Sequence, residues 1–421
     1  MKVKKHLYIG FLLFTIGLIV VTYVGRGEEY IVFLAAVLRV SKLARGKRTM
    51  NIGRNKLPWI VLVSWIIAVS TIGIITSQVI FKTFIECIIK FVCLPYVVYC
   101  LCPMKKDDSR TMLFAVKDFI FVSAVYGLVE SVLKYNYLER VVRIESVSWI
   151  TTMNSRSVNY QPSSLFLHYT YYGCVLLVGF VIGYVFPYRR KWMNILYTAV
   201  LVEQLIISQS RMSWVALIVL VLCEIVKTKR ISNKHFRRGI VCSLMFLFVV
   251  IINPEPFIRI VNFVDGRFSV LWKYGFDDGS LGQRFGTLMN WPKYFNANPI
   301  KGIFGTGFQS VSNDFLRDYS YFSGYNTADC EYTIILVDIG IIGMILFIYA
   351  IVYFFSKSLK KVTDDGIRNV ARLGMISLLI EFITIDVVSN NLIFSLMLMY
   401  IALALKMTIN SNVMFQKARP F

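Results

Sequence analysis

Long apolar runs, separated by short polar stretches, dominate the hydrophobic pattern of the chain. A helix that crosses a bilayer needs about 20 mostly apolar residues, and about twelve runs approach this length. The pattern predicts an all-α polytopic membrane protein with about twelve transmembrane helices, of which the second, seventh, ninth and last are short. The predicted spans lie near Leu7–Val24, Tyr30–Leu43, Leu57–Ser77, Ile80–Cys100, Met112–Leu133, Ser164–Phe186, Met193–Ile207, Ser210–Val226, Ile240–Ile252, Tyr332–Phe355, Val370–Val388 and Leu392–Leu405.

Composition supports this class of protein. The chain has 421 residues, of which 57% are hydrophobic and 17% charged, and its mean hydropathy is +0.62. A soluble globular chain is about 45–50% apolar and roughly 25% charged. Because the apolar excess lies in the long runs, we expect a single integral membrane domain over residues 1–421.

Basic residues are concentrated in alternate connections, and the formal net charge is +22. Positively charged loops stay in the cytoplasm, so the alternation predicts that both termini are cytoplasmic. Topology explains the clusters without a nucleic-acid partner. The first apolar run resembles a signal peptide but lacks a small-residue cleavage site, so we predict a retained helix. The clusters lie at Lys2–Lys5, Lys42–Lys56, Lys105–Lys106, Arg189–Lys191, Lys227–Arg238, Lys357–Lys361 and Lys417–Arg419.

Cysteine and histidine do not form a metal-binding pattern. Most of the eight cysteines lie inside apolar runs, where they pack as small residues, and only Cys330 is expected to be external. The three histidines are scattered along the chain. We therefore predict no metal site, no cofactor and no disulfide framework.

Two external connections are long, a smaller one over residues 134–163 and a larger one over 253–329. Long loops in compact proteins are often functional. In the larger one, Ser280–Gln283 fits a capping box, and apolar residues then recur at helical spacing until Asn298-Pro299. The pattern predicts an external amphipathic helix near residues 281–296.

The same loop contains a glycine-rich stretch with Gly302, Gly305 and Gly307. Nucleotide-binding loops require Gly-x-x-x-x-Gly-Lys-Ser/Thr, or Gly-x-Gly-x-x-Gly between a strand and a helix. The stretch fits neither pattern and is predicted to lie outside the cell. We therefore interpret it as a tight turn that folds the loop back onto the helices.

Two arginines on the external side are candidate anion ligands. Arg211 follows Ser208-Gln209-Ser210 where one predicted helix begins, and free N–H groups at a helix start attract anions. Arg284 lies on the first turn of the predicted amphipathic helix. Their planar guanidinium groups suit phosphate oxygens. The structural alternatives are an arginine that snorkels to the head groups and a solvated surface residue.

Acidic residues occur where the large loop returns to the membrane, at Asp329 and Glu331. A carboxylate near the two arginines can take a proton from a sugar hydroxyl. The structural alternative is that Asp329 caps the next helix.

Other charged residues in the apolar runs have structural interpretations. Glu86 and Lys90 are four residues apart and are expected to pair. The remaining acids are interpreted as polar contacts that hold helices together inside the bundle. In the smaller loop, arginines and aromatic residues suit either anionic glycans or an interfacial belt. The acids are Asp118, Glu130, Glu203, Asp338, Glu381 and Asp386, and the loop residues are Arg140, Arg143, Arg156, Trp149 and Tyr160.

The arrangement resembles the O-antigen polymerase and O-antigen ligase superfamily, and within it the capsular or exopolysaccharide repeat-unit polymerases. The resemblance covers roughly residues 150–345 by motif and the whole chain by topology. It is carried by Ser208–Arg211 before an apolar helix, by Arg284–Trp291 with Asn298–Gly302 and Gly305–Phe308, by Tyr332, Asp338, Gly340 and Gly343, and more weakly by Arg156, Pro162–Ser164 and His168-Tyr169.

The resemblance implies a membrane glycosyltransferase with a GT-C-like fold that needs no metal or nucleotide sugar. Its substrate would be an oligosaccharide on undecaprenyl diphosphate, outside the cytoplasmic (inner) membrane of a bacterium. By resemblance, Arg211 and Arg284 would bind the donor diphosphate. Candidate glycan or lipid contacts are Arg156, His168 and Tyr332. Membrane lipids, a flippase and a chain-length regulator are the implied partners.

The chain departs from the ligase pattern at one position. Where ligases carry a histidine followed by asparagine, this sequence has Asp329 and Cys330. The departure favours a polymerase over a ligase and leaves Asp329 and Glu331 as candidate bases. Two alternatives remain: an O-antigen-type ligase with another acceptor, and a flippase or transporter of lipid-linked oligosaccharide. Against the transporter, the sequence has no evident paired halves with broken helices.

Overall fold

The computed structural model describes residues 5–24, 56–103, 105–138, 160–166, 168–228, 262, 282–322 and 327–417. Regular structure in these residues is helical, and none of them forms a strand. The larger helices are α1 Lys5–Val24, α2 Leu57–Ile75, α3 Phe81–Leu101, α4 Lys106–Leu133, α5 Tyr169–Val185, α6 Lys191–Ile207, α7 Arg211–Thr228, α8 Trp291–Ala297, α9 Pro299–Phe304, α10 Glu331–Asp338, α11 Gly340–Lys361, α12 Asp365–Glu381 and α13 Asn391–Lys417.

Four of the described helices, α2, α3, α4 and α11, are long and apolar enough to cross a membrane. Shorter apolar helices occur at Tyr8–Gly17, Tyr169–Val185 and Asn391–Lys406. The protein is therefore a multi-pass membrane protein. Helices occur at ten of the twelve predicted spans, and the other two, Tyr30–Leu43 and Ile240–Ile252, lie outside the described residues. Twelve spans and the GT-C-like arrangement stay predictions.

The centre of the bundle is helix α5, which is buried along almost its whole length. Leu177, Val178 and Ile182 have no exposed surface. A helix that is apolar on all sides belongs in a protein interior, where other helices cover it. Glycines allow close approach, since a Cβ at Gly173 would lie 2.6 Å from Ser213 Oγ and one at Gly179 2.5 Å from Ile120 Cγ2.

Helix α3 contains a π-helical turn, Ile89–Cys93, just before Pro95. Proline removes a backbone donor, and a wider turn is one way for a helix to accommodate that loss. Lys90 lies on this turn and its Nζ donates to the carbonyl oxygens of Val388 (2.7 Å) and Ser389 (3.2 Å). The predicted Glu86–Lys90 pair is therefore wrong, because Lys90 binds the carbonyls of Val388 and Ser389 and Glu86 pairs with Lys82 at 3.5 Å.

The predicted continuous span Tyr332–Phe355 is broken at Ile339-Gly340, between α10 and α11. Gly340 has φ +70°, and a Cβ there would lie 2.4 Å from the Ile303 carbonyl oxygen. The break was invisible to hydropathy because the sequence stays apolar across it. It leaves carbonyl groups at the end of α10 free to bind another segment.

The glycine-rich stretch forms a tight turn that docks on this break. Gly305 and Gly307 adopt φ +91° and +108°, which favour glycine. The Thr306 N–H donates to the Val337 carbonyl at 3.1 Å, and the Gly307 N–H to the Asp338 carbonyl at 2.8 Å. The turn is therefore the folded-back loop that the sequence predicts, and it fixes the large loop to a membrane helix.

Asp338 strengthens the same junction through its carboxylate. It accepts hydrogen bonds from the Gln309 N–H at 2.7 Å, the Val311 N–H at 3.1 Å and the Ser310 hydroxyl at 3.1 Å. The side chain is 4% exposed. Three donors compensate the cost of burying a carboxylate, so Asp338 acts as the anchor of the loop.

The predicted amphipathic helix near residues 281–296 is interrupted. The structure has a π-helical turn at Gly282–Gly286, a short helix at Thr287–Met289, and then α8. Pro292 lacks the N–H that would bond the preceding turn, so a new helix begins at Trp291. Asn298-Pro299 ends α8 as predicted, but Pro299 also starts α9. Ser280 of the capping box lies outside the described residues.

The described part of the large loop has a small core of its own. Tyr294, Phe315 and Leu316 are buried together. The Tyr294 hydroxyl donates to Asp314 Oδ2 at 2.5 Å, and Lys301 pairs with the same carboxylate. Burial and this bond raise the pKa of Tyr294 well above its usual range, so the hydroxyl stays protonated. The loop is a folded platform for the residues that precede it, including Arg284.

Candidate functional site

Charged side chains from several helix ends meet at one end of the bundle. We call them the charged cluster: His168 before α5, Arg284 on the π-helical turn, Asp329 and Glu331 at the start of α10, and Asp386 between α12 and α13. Arg284 and Asp329 both act electrostatically on His168. Arg284, Asp329, Glu331 and Asp386 all act on the adjacent Tyr171. Four separate segments therefore build one site.

Arg284 is held against the segment that leads into α10. Its Nε donates to the Asp329 carbonyl oxygen at 3.2 Å, and the neighbouring Gln283 Nε2 donates to the Thr327 carbonyl at 2.9 Å. These two bonds hold the Arg284 guanidinium beside residues 327–329, and Asp338 anchors the loop that carries Arg284. The sequence predicted both residues in this part of the molecule but not that they touch.

Asp329 is half-buried and has the left-handed backbone angle φ +48°. Such angles are costly for most residues and are tolerated best by glycine, asparagine and aspartate. The conformation turns the chain directly before α10, where Cys330 and not Asp329 is the N-cap residue. Cys330 is buried, and its expected place on the external side of the membrane stays a prediction. The Asp329 carboxylate therefore does not cap α10.

Glu331 is more enclosed than Asp329. It is 1% exposed, its Oε2 accepts the Val388 N–H at 3.1 Å, and its own N–H donates to the Phe382 carbonyl at 2.8 Å. Lys90 and Asp386 act on it electrostatically. Its carboxylate therefore joins α10 to the connection between α12 and α13, and Lys90 binds the same connection from α3.

His168 is the N-cap residue of α5. Its Nδ1 accepts the Thr170 N–H at 3.2 Å, and its ring stacks on Tyr169 with centroids 4.4 Å apart. Because Nδ1 accepts this bond, Nε2 carries the proton in the neutral ring. In this tautomer Nε2 is the N–H donor of the ring.

Arg211 starts α7, directly after the tight turn that ends α6. Behind it, Ser213 Oγ lies 2.5 Å from Glu381 Oε1 and 2.8 Å from Ser210 Oγ. Glu381 is fully buried at the end of α12, and Arg284 acts on it electrostatically. Glu381 thus contacts the segment that carries Arg211 and lies within electrostatic range of Arg284.

Of the remaining candidate contacts, Tyr332 lies within the described residues and Arg156 does not. The Tyr332 hydroxyl donates to the Leu379 carbonyl at 2.7 Å, so this group already has a structural partner. Arg156 lies outside the described residues, as do most of loop 134–163 and residues 263–281. Tyr171, Asp386 and Lys90 were not assigned to the site from the sequence, because only long-range packing brings them there.

An apolar cavity of about 530 Å³ begins beside the cluster. Glu331 and Asp338 border one end of it, and Lys56 and Tyr99 border the other. Apolar side chains of α2, α3 and α13 line the space between, among them Ile67, Phe91 and Leu398. The charged cluster therefore lies at the end of a long apolar space within the membrane-spanning part.

The described residues contain no group of three or more histidine, cysteine or acidic side chains arranged to hold a metal ion. The chemistry that these residues offer is anion binding by arginine and proton transfer by a carboxylate.

Comparison with known proteins gives one family. Residues 195–348 match the family model described as O-antigen ligase. The matched segment contains Arg211, Arg284, Asp329 and Glu331, while His168 and Asp386 lie outside it. The chain has no match among curated proteins. The match agrees with the motifs read from the sequence and supports the resemblance of this segment to the O-antigen polymerase and ligase superfamily.

Proposed function

We propose that the protein is a polymerase of undecaprenyl-diphosphate-linked oligosaccharide repeat units. It joins them into a capsular, exopolysaccharide or O-antigen polymer on the outer side of the bacterial cytoplasmic membrane, with both termini in the cytoplasm. The observation that carries the proposal is the contact of Arg284 with the Asp329 segment, beside an apolar cavity. A substrate with an anionic head and an apolar tail suits this combination.

Arg211 and Arg284 bind the donor diphosphate in this proposal. Negative charge accumulates on the departing diphosphate as the glycosidic bond forms, and fixed cations stabilise that charge best in a water-poor site. The first N–H groups of α7 add a partial positive charge beside Arg211. The apolar cavity that begins at Glu331 accommodates part of the isoprenoid tail.

Asp329 is the proposed base. Its carboxylate takes the proton from a hydroxyl of the acceptor sugar, and that oxygen attacks the anomeric carbon of the donor. The bond between this carbon and the diphosphate oxygen breaks, and undecaprenyl diphosphate leaves with the electron pair. Glu331 is assigned a positioning role, because its carboxylate is already bonded to the Val388 N–H.

Replacement of Arg284 by alanine tests the proposal. We expect polymer length in cells to fall to single repeat units. The rate of polymerisation should decrease about 10²–10³-fold, as it does when other groups that stabilise transition-state charge are removed. Arg317→Ala is the matched control, since Arg317 is exposed on the same loop and pairs with Asp318. Wild-type chain length in a correctly inserted Arg284→Ala protein would contradict the assigned role.

A ligase is the second candidate, favoured by the description of the matching family. It would use the same donor and transfer the glycan to a different acceptor. An assay that offers the purified protein both a lipid-linked repeat unit and a lipid A core acceptor separates the two. Preference for the lipid-linked acceptor supports the polymerase, and neighbouring genes for a flippase and a chain-length regulator would support it further.

A further inference from the structure

A second cavity lies at the opposite end of the bundle from the charged cluster. It has a volume of about 480 Å³ and lies between α4, the end of α5 and the start of α6. His168 begins α5 and Val185 ends it, so the two sites are separated by about 25 Å at the usual helical rise. Arg110, Arg189 and Arg190 border the cavity together with Phe114, Phe186 and Met193.

The wall of the cavity is held in place by side chains from behind. Lys117 Nζ donates to the Phe186 carbonyl at 2.9 Å. The Asn194 side chain bonds both the N–H and the carbonyl of Tyr188, and the Tyr188 hydroxyl donates to Asp118 at 2.5 Å. The connection between α5 and α6 is therefore a fixed surface.

Positive charge predominates at the cavity. Arg189 and Arg190 are exposed and form no ion pair within the part of the chain that the structure describes. Arg110 shares the single carboxylate of Asp364 with Lys106, at 3.0 and 2.7 Å. Its Nε is buried and has no hydrogen-bond partner among the described residues. The cavity thus offers donors and uncompensated charge to an anion.

Aromatic residues indicate that the cavity lies at the depth of lipid head groups. Trp192 is 56% exposed directly beside the arginines, and Tyr188 lines the cavity. Tryptophan and tyrosine are enriched at this depth, where one side of the ring is apolar and the other is wet. The first turn of α6, which includes Met193, adds the positive end of a helix dipole.

We infer that this cavity binds one anionic diacyl phospholipid. The phosphate contacts Arg189 and Arg190, and the first part of an acyl chain covers Phe114, Phe186 and Met193. The basic connections predict that this end faces the cytoplasm, where the leaflet surface is negatively charged. The inference rests on this cavity alone and does not depend on the proposed enzymatic activity.

Lipid titration of the full chain in detergent tests the inference. We expect phosphatidylglycerol to bind the wild type and phosphatidylcholine not to bind, as measured by native mass spectrometry. Each basic residue near a membrane surface contributes about 1 kcal/mol, so Arg189→Gln with Arg190→Gln should weaken phosphatidylglycerol binding roughly 30-fold. The control, Lys357→Gln with Lys360→Gln, removes two exposed charges that do not line the cavity and should leave the affinity near wild type.

A second variant distinguishes a cavity site from general attraction to the basic surface. Val185→Trp fills the cavity and keeps every charge, so it should also weaken binding of phosphatidylglycerol. Equal losses in the arginine and lysine double variants would overturn the inference. Undiminished binding by Val185→Trp, or equal binding of phosphatidylcholine, would overturn it as well.

Discussion

Asp329 is half-buried, as is Asp386, and is free of a capping role, whereas Glu331, Asp338 and Glu381 are almost fully buried. Asp338 binds the glycine turn, Glu331 binds the connection after α12, and Glu381 lies 2.5 Å from Ser213. A proton acceptor must reach the substrate hydroxyl, so accessibility separates these carboxylates by role. In the proposed reaction Asp329 accepts the proton and the others maintain the geometry.

Replacement of Asp329 by asparagine should therefore abolish polymerisation while the protein still accumulates in the membrane. The side chain keeps its size and loses its proton-accepting ability, so we expect a decrease of about 10²–10⁴ in rate. Turnover of a lipid-linked repeat unit by purified protein is the measurement. Retention of more than a tenth of the wild-type rate would remove Asp329 from the mechanism.

At the scale of elements, apolar runs of membrane length predicted where most described helices lie, because burial in lipid requires a continuous apolar segment. Hydropathy carried no signal for the break at Ile339-Gly340 or for the π-helical turn Ile89–Cys93. The break is bound by a distant segment, the glycine turn, and the Lys90 side chain on the π-helical turn binds the distant Val388 carbonyl. The sequence predicted Arg284 and Asp329 on one side of the membrane, but folding was needed to bring in Asp386 and Lys90.

Gly340→Ala tests the junction between the glycine turn and the break. The added Cβ would lie 2.4 Å from the Ile303 carbonyl oxygen at a positive φ, so we expect a loss of about 1–3 kcal/mol in stability and a lower Tm in detergent. Gly10→Ala is the control, because a Cβ there has no neighbour within 4 Å. Equal melting temperatures for the two variants would contradict the proposed fit of the turn.

The junction of α11 and α12 gives a pH-dependent prediction. Burial alone would raise the pKa of Asp364, but the hydrogen bonds from Lys106 and the Ile367 N–H, with nearby Arg110, lower it. A lowered folded-state pKa means that the charged group stabilises the fold above its ordinary pKa and that this stabilisation is lost as the pH falls.

Asp364→Asn should therefore lower the Tm at pH 7, because asparagine keeps the helix cap but loses the charge. The expected loss in the free energy of unfolding is on the order of 1 kcal/mol. The difference from wild type should shrink as the pH falls below about 4, the ordinary range for aspartate. Melting curves of both proteins from pH 7 downwards measure it. A difference that grows in acid would contradict the assigned ion pairs.

At the scale of the whole molecule, the charged cluster and the cavity bordered by Arg189 and Arg190 lie at opposite ends of α5. The basic connections predict that the cavity end is cytoplasmic and that the charged cluster faces outwards. This orientation separates the proposed polymerisation from cytoplasmic nucleotide sugars and exposes it to lipid-linked units on the outer side.

Cysteine labelling tests this orientation. Arg317→Cys and Lys360→Cys put a thiol at two exposed positions, the first in the large loop and the second between α11 and α12. With a membrane-impermeant maleimide and the wild type as background, we expect labelling of intact cells at position 317 alone. Labelling of position 360 alone would reverse the topology and the proposed side of the reaction.

The most direct test of the proposed polymerase is an assay with purified protein in detergent and lipid-linked repeat units, in the absence of any membrane gradient. The account predicts a ladder of longer lipid-linked oligosaccharides with the wild type and with Arg317→Ala, and none with Arg284→Ala. The account would be contradicted if the folded wild-type protein did not lengthen the oligosaccharide but moved the same lipid across the membrane of vesicles that contain the protein. That result would identify a transporter.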